Sequence, residues 1–164
     1  MYRVPKFPNL YVITADGPSA LSTDYGLALY VFEQLGEVFK QLFRSKGMND
    51  SYILRPIFFV GQNRTLIMAE TGDETGTWEL HAFEVKDGKV AYVGTLDAAR
   101  IDPKNPDCWS NPIRDARVEF VRNAYVVHIR GEVYVHHGRE DQKRLFGNGW
   151  HRFVLERTQF IPKP

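Results

Sequence analysis

The residues of this chain with reactive side chains are five histidines, one cysteine and a scatter of carboxylates, and their spacing limits the chemistry on offer. His81, His128, His136, His137 and His151 fall in no H-E-x-x-H or paired-cysteine arrangement of the kind that binds zinc. If Arg130-Gly131 is a two-residue turn, His128 stands opposite Val133. His137 then lies on the same face two pairs farther along, and His136 points the other way. Imidazoles so separated share no metal unless another strand brings His81 or His151 beside one of them. No metal and no cofactor is expected.

Cys108 as a nucleophile would need a neighbouring base and a lowered pKa, and the sequence around it supplies neither. Asp102, Asn105 and Asp107 lack the glycine, the spacing and the distal glutamate of a calcium loop. Glu70, Asp73 and Glu74 cluster in a turn, where solvation accounts for them. There is no G-x-S-x-G, no P-loop and no G-x-G-x-x-G. A hydrolase or isomerase would have to assemble its site from separate strands, for example His128 or His137 with Glu132 or Asp115. No residue is assigned a catalytic role on this pattern.

Two segments look better suited to binding. Residues 97–115 read as a connection of about nineteen residues, against a usual four to six, and long connections in compact domains often carry function. It holds Asp102, Asp107, Trp109 and Arg114, and Pro103, Pro106 and Pro112 stiffen it, which lowers the cost of ordering it against a partner. Its structural alternative is a flap over a sheet edge with Trp109 as the plug. Residues 138–149 form a charged stretch whose Arg139 and Arg144, with Phe146 and Trp150, suit an acidic partner. A solvated loop is the plainer reading.

The elements that must position these groups show an abrupt change of period. Residues 10–14 are β-branched and aromatic and end at Asp16-Gly17-Pro18, as a strand and turn would. Over residues 23–45, Ala28, Val31, Phe32, Leu35, Val38, Phe39, Leu42 and Phe43 share an arc of about 140° at helical spacing. Ser22, Thr23 and Asp24 offer N-cap oxygens, and Gly47 is placed as a C-terminal cap. This predicts one long amphipathic helix covering a sheet, with Leu29 and Tyr30 off its buried face. Phe39→Ala should then cost about 3 kcal/mol.

From residue 52 the period becomes two. Strands are predicted over 52–60 (with Pro56 marking an edge or bulge), 65–70, 78–85, 90–96, 116–121, 124–129, 132–137 and 150–156. Asp87-Gly88 is a strong hairpin signal, and Arg122-Asn123 and Arg130-Gly131 suggest two more. Around the last of these, Val118, Phe120, Tyr125, Val127, Ile129 and Tyr134 share one face. Val121, Ala124, Val126, Val133 and Val135 share the other. Two apolar faces place this pair centrally in the fold or beside an interface or ligand cavity.

The predicted fold class is therefore α+β and mostly β: an antiparallel meander, as a curved sheet, half-barrel or sandwich, covered by one N-terminal helix. About 110 residues of strand are too few for a four-bladed propeller. At 164 residues the chain suits one domain with its own core. Its 43% hydrophobic and 25% charged composition is that of a globular protein.

The balance of 21 basic against 20 acidic residues gives no net field for nucleic acid. No apolar run reaches the roughly eighteen residues of a membrane span. A single cysteine forms no internal disulfide and suits a reducing compartment or a core that needs no bridge. The N-terminal residues show no signal-like apolar region, which fits a cytoplasmic protein or a processed periplasmic or secreted one. The leading expectation is a non-enzymatic module that binds a protein partner through its loops and one sheet face, in the manner of an inhibitor, immunity-type or accessory protein. The alternatives are a carrier of a small apolar ligand held between helix and sheet, and the strand-assembled hydrolase or isomerase.

Overall fold

The computed structural model describes residues 1–16, 26–48, 53–73, 76–102, 104–110, 112–121, 124–135 and 144–164. Among these the chain is almost entirely strand, and its helical content is the short 3₁₀ turn Pro112–Asp115. The long helix expected over residues 23–45 is absent from the described part of that segment. Its place is taken by a hairpin of β3 (Leu27–Leu35) and β4 (Val38–Arg44), with Leu35 paired to Val38 across Gly36-Glu37.

The physical reason lies at the turn and at the neighbouring edge. Gly36 adopts φ +66° and Glu37 stays out of the left-handed region, which is the glycine-first pattern of a type II′ hairpin turn. In a helix interior the same glycine would cost about 1 kcal/mol relative to alanine. β2 (Leu10–Asp16) presents an edge that β3 fills from Leu10↔Glu33 to Asp16↔Leu27. Burial shows which period prevails: Leu29, placed off the helical arc, is fully buried. Leu35, Val38 and Phe39, placed on it, are 49, 63 and 48% exposed. With β1 (Tyr2–Arg3), these strands make a four-stranded sheet in the order β1-β2-β3-β4.

β5 (Ile53–Val60), β6 (Arg64–Asp73), β7 (Gly76–Lys86) and β8 (Lys89–Leu96) form an antiparallel meander. The expected hairpin at Asp87-Gly88 is present, both residues taking positive φ as a type I′ turn requires. Pro56 sits in β5, which among the described residues pairs with β6 alone and so is an edge strand, where a missing N–H is tolerated. β6 is buried without interruption from Thr65 to Gly72. Its Leu66 and Met68 join one core with Leu80 and Ala82, and its Ile67 and Ala69 join another with Phe83 and Val85. The first sheet covers that second core with Val4, Leu10, Val12, Leu29 and Val31. A sheet covered on both faces needs apolar residues on both, which explains the weak alternation of β6.

The first core is closed by the same large sheet curling back. β11 (Arg117–Val121), β12 (Ala124–Arg130), β15 (Trp150–Glu156) and β16 (Gln159–Lys163) pair in that spatial order, and β16 meets β8 at Gln159↔Thr95. Tyr125, Val127, Ile129, Phe153 and Phe160 pack from this side onto Leu66, Met68 and Leu80.

Two further expectations need correction. The connection over residues 97–115 is no free loop: β9 (Ala98–Asp102) and β10 (Asn105–Ser110) pair within it, and Trp109 meets Gly76 of β7. The Arg130-Gly131 hairpin does not form. The chain leaves β12 through Gly131, at φ +97°, and β13 (Val133–Val135) pairs with β9 and with β14 (Arg144–Phe146). β12 takes β15 as its second partner, so His128 stands between Arg117 and Arg152 and not opposite Val133.

Candidate functional site

Alternation on the closing strands turns one face to the core and carries the charged residues on the other, where Val126 is also buried. Phe120, Tyr125, Val127, Ile129, Phe153 and Phe160 point into the core. Arg117, Glu119, His128, Arg130, Trp150 and Arg152 occupy the opposite register positions and face outward. Antiparallel pairing then fixes their layout. Arg117, His128 and Arg152 form a row across three strands, and Arg130 and Trp150 are direct partners one step along.

At that end lies an open cleft of about 500 Å³ lined by Arg100, Asp115, Arg117, Arg130, Gly131 and Trp150. The Arg117 guanidinium carbon stands 5.0 Å from the centre of the half-exposed Trp150 ring, a cation–π pair. Arg100 reaches in from β9. Its Nη1 is 2.9 Å from Asp115 Oδ2, and its Nη2 donates to the Arg130 carbonyl. Arg100 thereby ties the 3₁₀ turn to the end of β12.

The cleft's floor is held by short polar contacts. Gly131 N–H donates to Gly149 O at 2.7 Å. His151 Nε2 lies 2.9 Å from Gly131 O and 2.6 Å from Gly147 O, so this nitrogen carries the proton and donates. The imidazole is a brace for the backbone around Trp150.

The charge on this face is unbalanced. Lys163 is matched by Glu156 and Arg100 by Asp115, while Glu119 Oε1 lies 3.1 Å from His128 Nε2. Among the described residues no carboxylate pairs with Arg117, Arg130 or Arg152. The cleft therefore offers guanidinium forks and an indole face to an anionic group. Among its described lining residues it offers no nucleophile, and its one acid is engaged by Arg100. With His128 turned to Glu119, the acid–base pair of His128 and Asp115 is not assembled. No group of three described His, Cys, Asp or Glu side chains is disposed to hold a metal.

Of the residues singled out in the sequence, Trp150 lies in the cleft. Arg114 is exposed on the 3₁₀ turn, next in sequence to Asp115. Phe146 turns to the other side, with ring centres 5.3 Å from His151 and 6.4 Å from Phe153, so the expected pairing of Phe146 with Trp150 is split between two faces. Asp102, Asp107 and Trp109 fall on β9 and β10 and Arg144 on β14, but their side chains are outside the described residues, as is the whole of Arg139. Arg100, Arg117 and Arg130 were missed. The available signal was their place at outward positions or strand ends, which alone does not mark a site.

Comparison with known proteins finds no matching family, no matching curated protein and no matching solved structure.

Proposed function

We propose that this protein is a non-enzymatic binding module that captures an acidic segment of a protein partner in the cleft around Arg117, Arg130 and Trp150. The observation that carries this reading is the set of outward arginines that have no carboxylate partner among the described residues, mounted on paired strands around one half-exposed indole. Strand pairing fixes the backbone of these side chains beforehand, which reduces the ordering cost of association. Arginine and tryptophan are the residue types that most often dominate interface energies. Arg114 and Arg152 extend the basic surface beside the cleft. A near-neutral chain favours a protein segment over nucleic acid, whose binders carry a broad positive field.

The test is capture from source extract on immobilised wild-type protein and on an Arg117→Glu/Arg130→Glu variant, read by mass spectrometry. The reading expects a partner with a run of Asp or Glu that is retained by wild-type and released by charge reversal. Equal retention by both, or recovery of nucleic acid in place of protein, would overturn it.

A further inference from the structure

At one edge of the second core, between the end of the first sheet and β7–β8, the packing is not filled. The first sheet covers β7 and β8 over Phe83 and Val85 and then stops, because β4 ends at Arg44. The chain from Ser45 to Met48 is tied back to β3: Ser45 N–H donates to Leu29 O at 2.8 Å, Leu29 N–H to Ser45 Oγ at 2.9 Å, and Met48 N–H to Leu27 O at 2.9 Å. Held to β3, this segment cannot settle onto β7 and β8. A cavity of about 510 Å³ remains between them.

Its walls are aromatic. Phe83, fully buried, meets Phe43 edge-on at 5.8 Å and Tyr92 edge-on at 5.6 Å, and the His81 ring lies 6.3 Å from Tyr92. Met48 adds a polarizable side chain, which suits a ring edge. The charged lining residues are both cations, Arg44 and Lys46. Glu79, the acid next to His81 on that strand face, lies 3.2 Å from the imidazole, Oε2 to Nε2, and with Asp97 it sets negative charge near Tyr92, so the two cations hold the other end of the cavity. Arg44 is steadied by Tyr30, whose hydroxyl lies 3.3 Å from Nε and whose ring faces the guanidinium at 5.8 Å. Lys46 is exposed at the mouth.

From this arrangement we infer a second binding site, for a small planar aromatic molecule carrying one anionic group. The rings of Phe43 and Tyr92, backed by the buried ring of Phe83, take the aromatic body, and Lys46 and Arg44 meet the anion. The volume lies within the range of small-molecule pockets, and the walls are set by backbone hydrogen bonds that need no ligand to form. This site is independent of the cleft around Trp150.

Anilinonaphthalene sulfonate is a probe of this class. Titrated into the folded, full-length protein, it should bind saturably at one-to-one stoichiometry. Amide shifts in ¹H–¹⁵N spectra should concentrate on Phe43 to Met48, His81 and Tyr92. Tyr92→Ala should weaken binding about tenfold by removing one ring contact. Lys46→Glu, an exposed change that leaves the fold intact, should weaken this probe but not a neutral naphthalene analogue. Arg117→Ala should change nothing. Non-saturable binding, shifts scattered over the sheet or centred on Trp150, or full affinity in the Lys46→Glu and Tyr92→Ala variants would each overturn the inference.

Discussion

Arg117 and Trp150 belong to strands that do not touch, since β12 lies between β11 and β15, yet the guanidinium of one covers the indole of the other at 5.0 Å. The contact bridges the middle strand on its outer face and forms part of the cleft wall. Both residues are exposed, so either single change to alanine should alter stability by less than about 1 kcal/mol. A double-mutant cycle in urea should give a coupling of about 0.5–1 kcal/mol. A coupling of zero would show that the pair does not form in solution.

The hairpin that replaces the expected helix reverses an earlier expectation for Phe39. With its ring half exposed at the tip of β4, Phe39→Ala should cost about 1 kcal/mol or less, and not 3. Phe83, fully buried between the layers, should cost about 3–5 kcal/mol when cut to alanine. Denaturant unfolding of the two variants separates the architectures: a larger loss at Phe39 would restore the helix.

Gly94 marks where the curled sheet joins itself. A β-carbon there would lie 2.5 Å from the Thr158 carbonyl oxygen, beside the hydrogen bond from Thr95 N–H to that same oxygen at 2.9 Å. Gly94→Ala must push β16 away from β8 and should cost about 1–3 kcal/mol. Gly88→Ala meets open space and tests the turn conformation alone. Thermal unfolding of Gly94→Ala at wild-type temperature would contradict the junction.

Tyr125 links the two halves at the opposite end. Its hydroxyl is enclosed beside the Arg64–Glu84 ion pair, whose atoms are 3.1 Å apart. Burial, reinforced by the Glu84 carboxylate, raises its pKa well above the ordinary tyrosine value of 10. In the unfolded chain this phenol ionises near pH 10, while in the fold it keeps its proton. Stability is therefore fully present below pH 10 and falls as pH rises from there towards the folded value. Tyr125→Phe should flatten the part of this alkaline loss that comes from Tyr125. An unchanged alkaline profile in that variant would remove Tyr125 as its source.

Much of the local architecture is legible in the residues. Asp87-Gly88 announces its hairpin, and the apolar alternation of 117–121 and 124–129 yields the β11–β12 pair. Residues 27–44 mislead because their apolar spacing satisfies a helical arc as well as two strands. Gly36 breaks the tie, and it does so only because β2 supplies an edge for β3 to join. Pairings between distant segments left no local trace: nothing in residues 133–135 says that they join β9, or in 150–156 that they join β12.

The same limit governs the cleft. Trp150 stands out as an aromatic at an exposed strand start, but Arg100, Arg117 and Arg130 come from three strands far apart in sequence. Only the register of β11, β12 and β15, with β9 laid alongside, gathers them. The aromatic cavity likewise depends on where the first sheet stops, which the misread helix concealed.

The most direct test of the acidic-partner reading is calorimetric titration of a short glutamate-rich peptide into the wild-type protein and into Arg117→Ala and Arg130→Ala variants. The account predicts saturable one-to-one binding that weakens as salt rises and falls about tenfold or more in each variant, with folding unchanged. Absence of binding at low salt, or equal affinity in the variants, would contradict it.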